Sequence, residues 1–182
     1  MLLQKLTARI SPAFGWIRLR LFMQSRSMMF GTGCSIATGV RVRATDGARA
    51  IFGSGVSIDR YADITAKFGD LAIGDGTYIG QFAVICAREK ITIGPDCLIA
   101  EHVTVRDQDH GFGVGLKTIT AGFTTAPVEI GQNVWIGAKT TITKGVKIGD
   151  NSVVGANSVV TGDVPPNTIV AGAPACVLRA IR

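Results

Sequence analysis

A branched aliphatic residue recurs at every sixth position over residues 130–160. Six residues match neither the roughly 3.6-residue period of an α-helix nor the simple alternation of a half-buried strand. Self-similarity at a fixed short period is instead typical of solenoids, in which each repeat stacks on its neighbours. The register positions of this stretch are Ile130, Ile136, Ile142, Ile148, Val154 and Val160.

The same spacing extends through most of the chain in groups of three. Within each group the step is six residues, whereas the steps between groups are 10, 9, 8, 25 and 6. Extra residues therefore fall only after the third member of a group, which predicts a three-sided coil with one corner that tolerates insertions. The earlier groups are Phe30, Ile36, Val42; Phe52, Ile58, Ile64; Ile73, Ile79, Ile85; and Ile93, Ile99, Val105.

Glycine follows the first member of every group, at positions 31, 53, 74, 94, 131 and 149. Because glycine adopts corner dihedrals that other residues resist, we interpret these positions as corners of the coil. The predicted fold is an all-β, parallel β-helix with a triangular cross-section, whose register residues point inward and stack on their equivalents one coil away. Each buried aliphatic side chain contributes about 1.5–3 kcal/mol, and the open ends of such a coil need caps.

The amino-acid composition agrees with this fold and argues against nucleic-acid binding. Of the 182 residues, 47% are hydrophobic but only 7% are aromatic, which suits stacked Val and Ile side chains in one elongated domain. Five of the 19 basic residues lie in residues 1–27, which contain no acid, so 14 basic residues balance 13 acidic ones elsewhere and nothing indicates nucleic-acid binding. The four cysteines lack metal-ligand spacing, and we interpret Cys34 and Cys97 as reduced core thiols of a cytoplasmic protein.

Residues 1–27 follow a different pattern, with apolar residues at steps of three or four. This spacing predicts an amphipathic helical region, which Ser11-Pro12 interrupts. The region is too short and too charged to span a membrane, and it lacks the cleavage site of a signal peptide. We favour a helix that caps the first coil or packs on a neighbouring subunit. The alternative is peripheral contact with anionic lipid at the inner face of the membrane.

The rest of the chain is predicted to form a β-helix over residues 28–164, with a protruding loop over 106–129, and a C-terminal tail over 165–182 that packs on the prism. The loop lengthens the usual step of six residues by 19, as the difference between 25 and 6. Long loops on a rigid scaffold often carry function. We therefore look for chemistry at this loop.

His110 lies at the root of the loop. Imidazole exchanges protons near neutral pH, so His110 is the candidate general base, with Asp107 or Asp109 to orient the ring. The other histidine, His102, falls at an outward position and is interpreted as a surface residue. Trp135 is interpreted either as packing at a corner or subunit contact or as the wall of a ligand groove.

Several segments together resemble one family. These are the six-residue ladder, Val-Trp-Ile-Gly-Ala at 134–138, Val-Val-Gly-Ala-Asn-Ser-Val-Val-Thr at 153–161 and Asp-Val-Pro-Pro-Asn-Thr-Ile-Val-Ala-Gly-Ala-Pro at 163–174. They are similar to the hexapeptide-repeat O-acetyltransferases, in the branch of the maltose, galactoside and nodulation-factor acetyltransferases and their relatives in polysaccharide biosynthesis. The resemblance covers about residues 30–180. It implies a left-handed β-helix, an exception to the usual crossover hand, a homotrimer, and acetyl-CoA as co-substrate in the groove between neighbouring prisms.

The resemblance also implies roles for individual residues. The family's catalytic histidine corresponds to His110. The backbones of Ala138 and Ala156 would contact the pantetheine arm of the coenzyme. The remaining cofactor-binding residues that the resemblance implies are Thr161, Gly162 and, for the nucleotide phosphates, Arg179.

Two departures from the family concern the ligands. The family often has Lys where Gly162 stands and a basic residue where Cys176 stands, so the phosphates would rely on Arg179, Lys144 or Arg182. The acceptor-binding Asn of the sugar acetyltransferases corresponds to about Gly80. Gln81 and Asp107 are therefore the candidates to bind the acceptor.

The resemblance predicts transfer of an acetyl group from acetyl-CoA to a hydroxyl of a small-molecule or lipid-linked saccharide acceptor. His110 would take the proton of the hydroxyl, which attacks the thioester directly. The alternatives are N-acetylation of an amino sugar, serine O-acetylation, and a β-helix scaffold without catalysis. A γ-type carbonic anhydrase shares the prism but needs three zinc-binding histidines, whereas this chain has two, so no metal site is expected.

Overall fold

The computed structural model describes residues 27–182. The predicted helical region lies outside them, except for its last residue. The described part of the chain is built from strands that wind into a parallel solenoid of six coils, with three short strands per coil. This architecture confirms the predicted three-sided parallel β-helix and is consistent with the left-handed winding of hexapeptide-repeat β-helices.

The strands of each coil lie on three faces, which we call A, B and C. Face A contains β1 (Met28–Phe30), β4 (Ala50–Phe52), β7 (Asp70–Ile73), β10 (Lys90–Ile93), β15 (Val128–Ile130) and β18 (Lys147–Ile148). Face B contains β2 (Ser35–Ile36), β5 (Ser57–Ile58), β8 (Tyr78–Ile79), β11 (Leu98–Ile99), β16 (Trp135–Ile136), β19 (Val153–Val154), β21 (Thr168–Gly172) and β22 (Ala175–Ala180). Face C contains β3 (Arg41–Thr45), β6 (Asp63–Lys67), β9 (Val84–Ala87), β12 (Thr104–Arg106), β17 (Thr141–Ile142) and β20 (Val159–Val160).

The predicted register residues form the core. All of them are buried, and the most exposed, Phe30 and Ile36, keep 8% of their accessible surface. Each pairs with its equivalent one coil away, as Ile93 pairs with Ile73 on one side and Ile130 on the other. At the first coil the Phe30 ring stacks on Phe52 with 4.5 Å between ring centroids. The repeat therefore positions the core as the sequence predicts.

The glycines that follow the first register position do not have the conformation that the sequence analysis assigned to them. None of the six has a positive φ; that conformation falls two residues later, at residues such as Gly33, Gly55 and Asp96. Their role is close approach between coils. A Cβ on Gly94 would lie 2.6 Å from the carbonyl carbon of Gly131 in the next coil. Only a residue without a side chain lets these backbones stack.

The edge between faces B and C, which we call the BC edge, has a column of rings. Tyr61, Phe82 and His102 each have a left-handed φ of 57–61° and lie one coil apart. The centroid distances are 5.3 Å between Tyr61 and Phe82 and 5.1 Å between Phe82 and His102, with nearly parallel planes. Stacking offsets part of the backbone strain that bulky residues incur at positive φ. His102 is exposed, as expected of a surface residue.

The edge between faces C and A, the CA edge, carries the long insertion. This segment is not a structureless loop, because it contains the antiparallel hairpin of β13 (Gln108–His110) and β14 (Phe123–Thr125). At the end of the solenoid, Pro165-Pro166 occupies a corner rather than ending the coil, because β21 continues face B in parallel with β19. The last strand, β22, pairs antiparallel with β21. Over residues 27–182 we find no helix with the length and apolarity needed to cross a membrane.

Candidate active site

The hairpin fixes the position of His110. His110 pairs directly with Phe123 across the two strands. The centroids of the two rings lie 4.3 Å apart, and the ring planes are tilted by 39°. His110 is exposed, and among residues 27–182 its imidazole makes no hydrogen bond or ion pair. Both ring nitrogens are thus available to a ligand, while the ring face is supported by an aromatic neighbour. This arrangement suits a group that exchanges a proton with a bound substrate.

A guanidinium supports the other side of this ring pair. The Cζ of Arg88 lies 3.7 Å from the centroid of Phe123 and 5.0 Å from that of Phe68, at the same edge. The four side chains thus form a continuous row, in the order Phe68, Arg88, Phe123 and His110. Sequence reasoning missed the first three because they come from three different turns of the chain. Cation–π contacts of this kind typically contribute about 0.5–2 kcal/mol each.

Asp107 does not occupy the place predicted for it. Its side chain is completely buried. It accepts hydrogen bonds from the backbone N–H groups of Arg88, Glu89 and Lys90 at 2.7–2.9 Å. Because its oxygens are engaged with the backbone of the preceding coil, we no longer assign Asp107 to orienting His110 or to binding the acceptor. It anchors the root of the hairpin instead.

Asp109 also points away from the imidazole. Successive side chains of a strand project to opposite faces, so Asp109 and His110 lie on opposite sides of β13. Asp109 Oδ2 instead pairs with Lys144 Nζ of the following coil at 3.4 Å. The hairpin is therefore held on one side by Arg88 of the preceding coil and on the other by Lys144. Neither predicted carboxylate orients His110 in the single chain.

Gln81 lies at the BC edge, in a half-open depression of about 290 Å³. The lining residues combine aromatic rings with polar groups and are Tyr78, Gln81, Phe82, Glu101 and His102. Beside it, the Tyr78 hydroxyl donates to Asp59 Oδ2 at 3.1 Å. Burial opposes ionisation of Asp59, but hydrogen bonds from Arg60 N–H, Tyr78 and Gln81 outweigh it and lower the pKa of this carboxyl. The pKa of Tyr78 is raised by burial and by the same hydrogen bond.

The residues assigned to the coenzyme lie at two edges of the prism and on the last strand of face B. Ala138 and Ala156 follow the face B strands β16 and β19 at the BC edge, in the same column as Gln81, and Asn157 N–H donates to the Ala138 carbonyl at 2.8 Å. Thr161 and Gly162 are exposed and follow β20 at the CA edge. Arg179 is exposed on β22, where it pairs with Ile169.

A single chain therefore does not bring all the predicted residues together. His110, Thr161 and Gly162 lie along the CA edge, whereas Gln81, Ala138 and Ala156 lie along the BC edge. Face C separates the two edges. A site containing both sets needs the CA edge of one prism to face the BC edge of another.

Two other features of the described residues bear on the site. A larger depression of about 530 Å³ lies on face A, and none of the predicted site residues lines it. Within residues 27–182, no three His, Cys, Asp or Glu side chains are grouped closely enough to hold a metal ion. Cys34 and Cys97 are buried and free, as predicted, and burial raises the pKa of each thiol.

Known proteins share both the repeat and the fold. Residues 127–162 match the family model of the bacterial transferase hexapeptide, six repeats. The chain is 34% identical over 157 residues to the probable acetyltransferase Rv3034c of Mycobacterium tuberculosis, covering 85% of this chain and 51% of the relative. It is 41% identical over 113 residues to the galactoside O-acetyltransferase of Escherichia coli, covering 62% of this chain and 55% of the relative. It thus spans little more than half the length of these relatives.

Solved structures agree with the fold. The hexapeptide-repeat acetyltransferase VCA0836 of Vibrio cholerae, solved in complex with acetyl coenzyme A, is 29% identical with a TM-score of 0.65, over 91% of this chain and 77% of that one. AntD, an N-acyltransferase of Bacillus cereus, gives a TM-score of 0.77 at 21% identity, over 92% and 89% of the two chains. The second likeness concerns the fold alone. Together these findings identify the chain as carrying a hexapeptide-repeat transferase domain and as a homologue of hexapeptide-repeat acetyltransferases.

Proposed function

We propose that this protein transfers an acetyl group from acetyl-CoA to a hydroxyl of a saccharide, with His110 as the general base. The observation that carries the proposal is the His110 side chain: an exposed imidazole that makes no hydrogen bond to the described part of the chain and is held against Phe123 on a hairpin anchored to a rigid prism. The choice of acetyl-CoA follows from the similarity to acetyltransferases. The choice of a sugar hydroxyl rests on the likeness to galactoside O-acetyltransferase.

The proposed reaction is a direct transfer. His110 takes the proton from the acceptor hydroxyl as its oxygen attacks the thioester carbonyl, and the coenzyme A thiolate leaves. No covalent enzyme intermediate is required. Because both reactants would be held in one cleft, a large part of the rate gain would come from proximity.

We further propose that the cleft lies between two protomers of a homotrimer. The CA edge of one protomer would supply His110, and the BC edge of the next would supply Ala138, Ala156 and the depression around Gln81. In this arrangement the coenzyme runs along the later coils and the acceptor lies near the earlier ones. The predicted roles of Thr161, Gly162 and Arg179 in holding the coenzyme stay part of this proposal. For residues 1–27 the favoured role stays that of a helix that caps the first coil or packs on a neighbouring subunit, with peripheral membrane contact as the alternative.

The test is release of free thiol from acetyl-CoA over a panel of sugars, amino sugars, nucleotide sugars and serine. His110→Ala should lower kcat by about 10²- to 10⁴-fold while the affinity for coenzyme A, measured by calorimetry, stays the same. Thr124→Ala is the matched control, because Thr124 is exposed on the neighbouring strand of the same hairpin. Near-normal turnover by His110→Ala would remove this residue from the mechanism. Transfer to amines but not to hydroxyls would replace O-acetylation by N-acetylation.

A further inference from the structure

Within the described residues, 27–182, the side chain of Arg88 has no partner of opposite charge. Among residues 27–182 its guanidinium makes no hydrogen bond and no ion pair, and the bonds of this residue to Asp107 come from its backbone N–H. Several other arginines of the solenoid are paired, as Arg49 is with Asp70, whereas Arg106 on β12 is unpaired among residues 27–182 as well. A guanidinium has five N–H donors, and those of Arg88 are free for a ligand.

Arg88 is nevertheless held in place. The ring centroids of Phe123 and Phe68 lie 3.7 and 5.0 Å from the Cζ of its guanidinium. The backbone of Arg88 is fixed by the buried Asp107 carboxylate at 2.8 and 2.9 Å. Contacts with ring faces leave the edge of the guanidinium open, and this edge is the part that matches a carboxylate or a phosphate. Less entropy is lost on binding when the fork is already oriented.

The location of Arg88 associates it with the acceptor rather than with the coenzyme. Arg88 Cζ and the His110 ring each contact Phe123, so the guanidinium carbon lies at most about 8 Å from the His110 ring centroid. Arg88 lies at the CA edge one coil before the hairpin, whereas Thr161 and Gly162 lie at the same edge two coils after it. His110 and Phe123 are directly paired across the hairpin, so their side chains project from the same face of it, and the guanidinium contacts the ring of Phe123.

We propose that Arg88 binds a negatively charged group, a carboxylate or a phosphate, on the acceptor whose hydroxyl is acetylated. This inference rests on the proposed function and names the class of its acceptor, an anionic saccharide. The fork would fix the acceptor by its charge and thereby place the hydroxyl beside the imidazole. Arg88 is then a residue that determines specificity, and Phe68 and Phe123 position it.

The experiment compares matched acceptors with wild-type protein, Arg88→Gln and Arg88→Lys. Methyl galactoside is the neutral probe, methyl galacturonide carries a carboxylate, and galactose 1-phosphate carries a phosphate. In wild type, kcat/KM should be about 10- to 100-fold higher for at least one anionic acceptor than for the neutral one. Arg88→Gln should abolish this preference, because it should lower kcat/KM for the preferred anionic acceptor about tenfold or more beyond any loss with the neutral acceptor. Arg88→Lys should restore only part of it, because an ammonium lacks the planar fork.

The matched control is Lys90→Gln, which removes an exposed positive charge two residues away on face A. It should change neither acceptor by more than about twofold, because exposed charges without a fixed geometry contribute little. The inference is overturned if wild type shows no preference for either anion, or if Arg88→Gln lowers transfer to neutral and anionic acceptors equally. The second outcome would mean that Arg88 only supports Phe123.

Calorimetric titration of the same three sugars, with coenzyme A present, separates this inference from the proposed function. If no sugar is acetylated but wild type binds an anionic sugar more tightly than Arg88→Gln does, the reaction is wrong and the anion site is right. If sugars are acetylated without a charge preference in rate or binding, the reaction stands and the anion site does not.

Discussion

Removing the carboxylate of Asp107 should destabilise the protein far more than removing the carboxylate of Asp109. Asp107 is completely buried and accepts bonds from three backbone N–H groups at 2.7–2.9 Å. Hydrogen bonds to a charged acceptor contribute about 1.5–3 kcal/mol each, so three donors give about 4–9 kcal/mol. Glu89 and Lys90 are exposed residues, so water can take the place of the carboxylate at some of these N–H groups and recover part of the lost free energy. We therefore expect Asp107→Ala to lower the free energy of unfolding by about 3–5 kcal/mol.

The assay is equilibrium unfolding in urea, followed by circular dichroism, with Asp109→Ala as the control. Asp109 makes one exposed ion pair, at 3.4 Å, so its loss should cost less than about 1 kcal/mol. Asp107→Ala should also lower kcat about tenfold or more, because the anchor of His110 and Arg88 is lost and the reacting groups are misplaced. A change in stability of less than about 1 kcal/mol for Asp107→Ala would refute the assigned anchoring role.

Two further predictions concern the solenoid. Gly94→Ala should lower the free energy of unfolding, measured by urea titration, by about 3 kcal/mol, because the new methyl group would lie 2.6 Å from the Gly131 backbone. Gly162→Ala is the control and should change the free energy of unfolding little, because no described atom lies within 4 Å of the added methyl group. Equal effects of the two substitutions would contradict the close-approach explanation. The Arg49 side chain holds the pKa of Asp70 below its usual range, so the pair stabilises the fold above the unfolded-state pKa of about 3.9, and this contribution is lost as the pH falls through the folded value. Asp70→Asn should therefore lose less stability than wild type between about pH 4 and pH 2, and parallel losses would count against this linkage.

The repeat carries most of the fold information. Ile79 and Ile136, 57 residues apart by their numbers, lie in one buried stack because a six-residue period and three faces leave no other register. The ring column at the BC edge was predictable too. Tyr61, Phe82 and His102 each follow a face B register residue by three positions, and this constant offset indicates one edge. The six-residue spacing was misleading only where a residue was explained by its neighbours in sequence and not by contacts with the next coil.

The site was harder to predict because its contacts cross between coils. Asp107 is three residues from His110 in sequence, which suggested an orienting role, but its partners belong to the preceding coil, 17 to 19 residues away. Phe123, which Arg88 contacts, lies within the insertion, whose hairpin cannot be derived from the six-residue period. The spacing predicts a corner conformation at Gly94, whereas the close approach of the next backbone explains why this residue is glycine. Proximity across an insertion is set by tertiary structure, not by spacing.

The most direct test of the account is complementation between two inactive variants. His110→Ala removes the base at the CA edge, and Ala156→Trp would block the coenzyme at the BC edge, where Ala156 is exposed. If the cleft is shared by neighbouring protomers, trimers assembled from equal amounts of both variants contain intact clefts, and acetyl transfer should return to about a quarter of the wild-type rate. Mixed trimers as inactive as the two parents would contradict a cleft built from His110 of one protomer and Ala156 of the next.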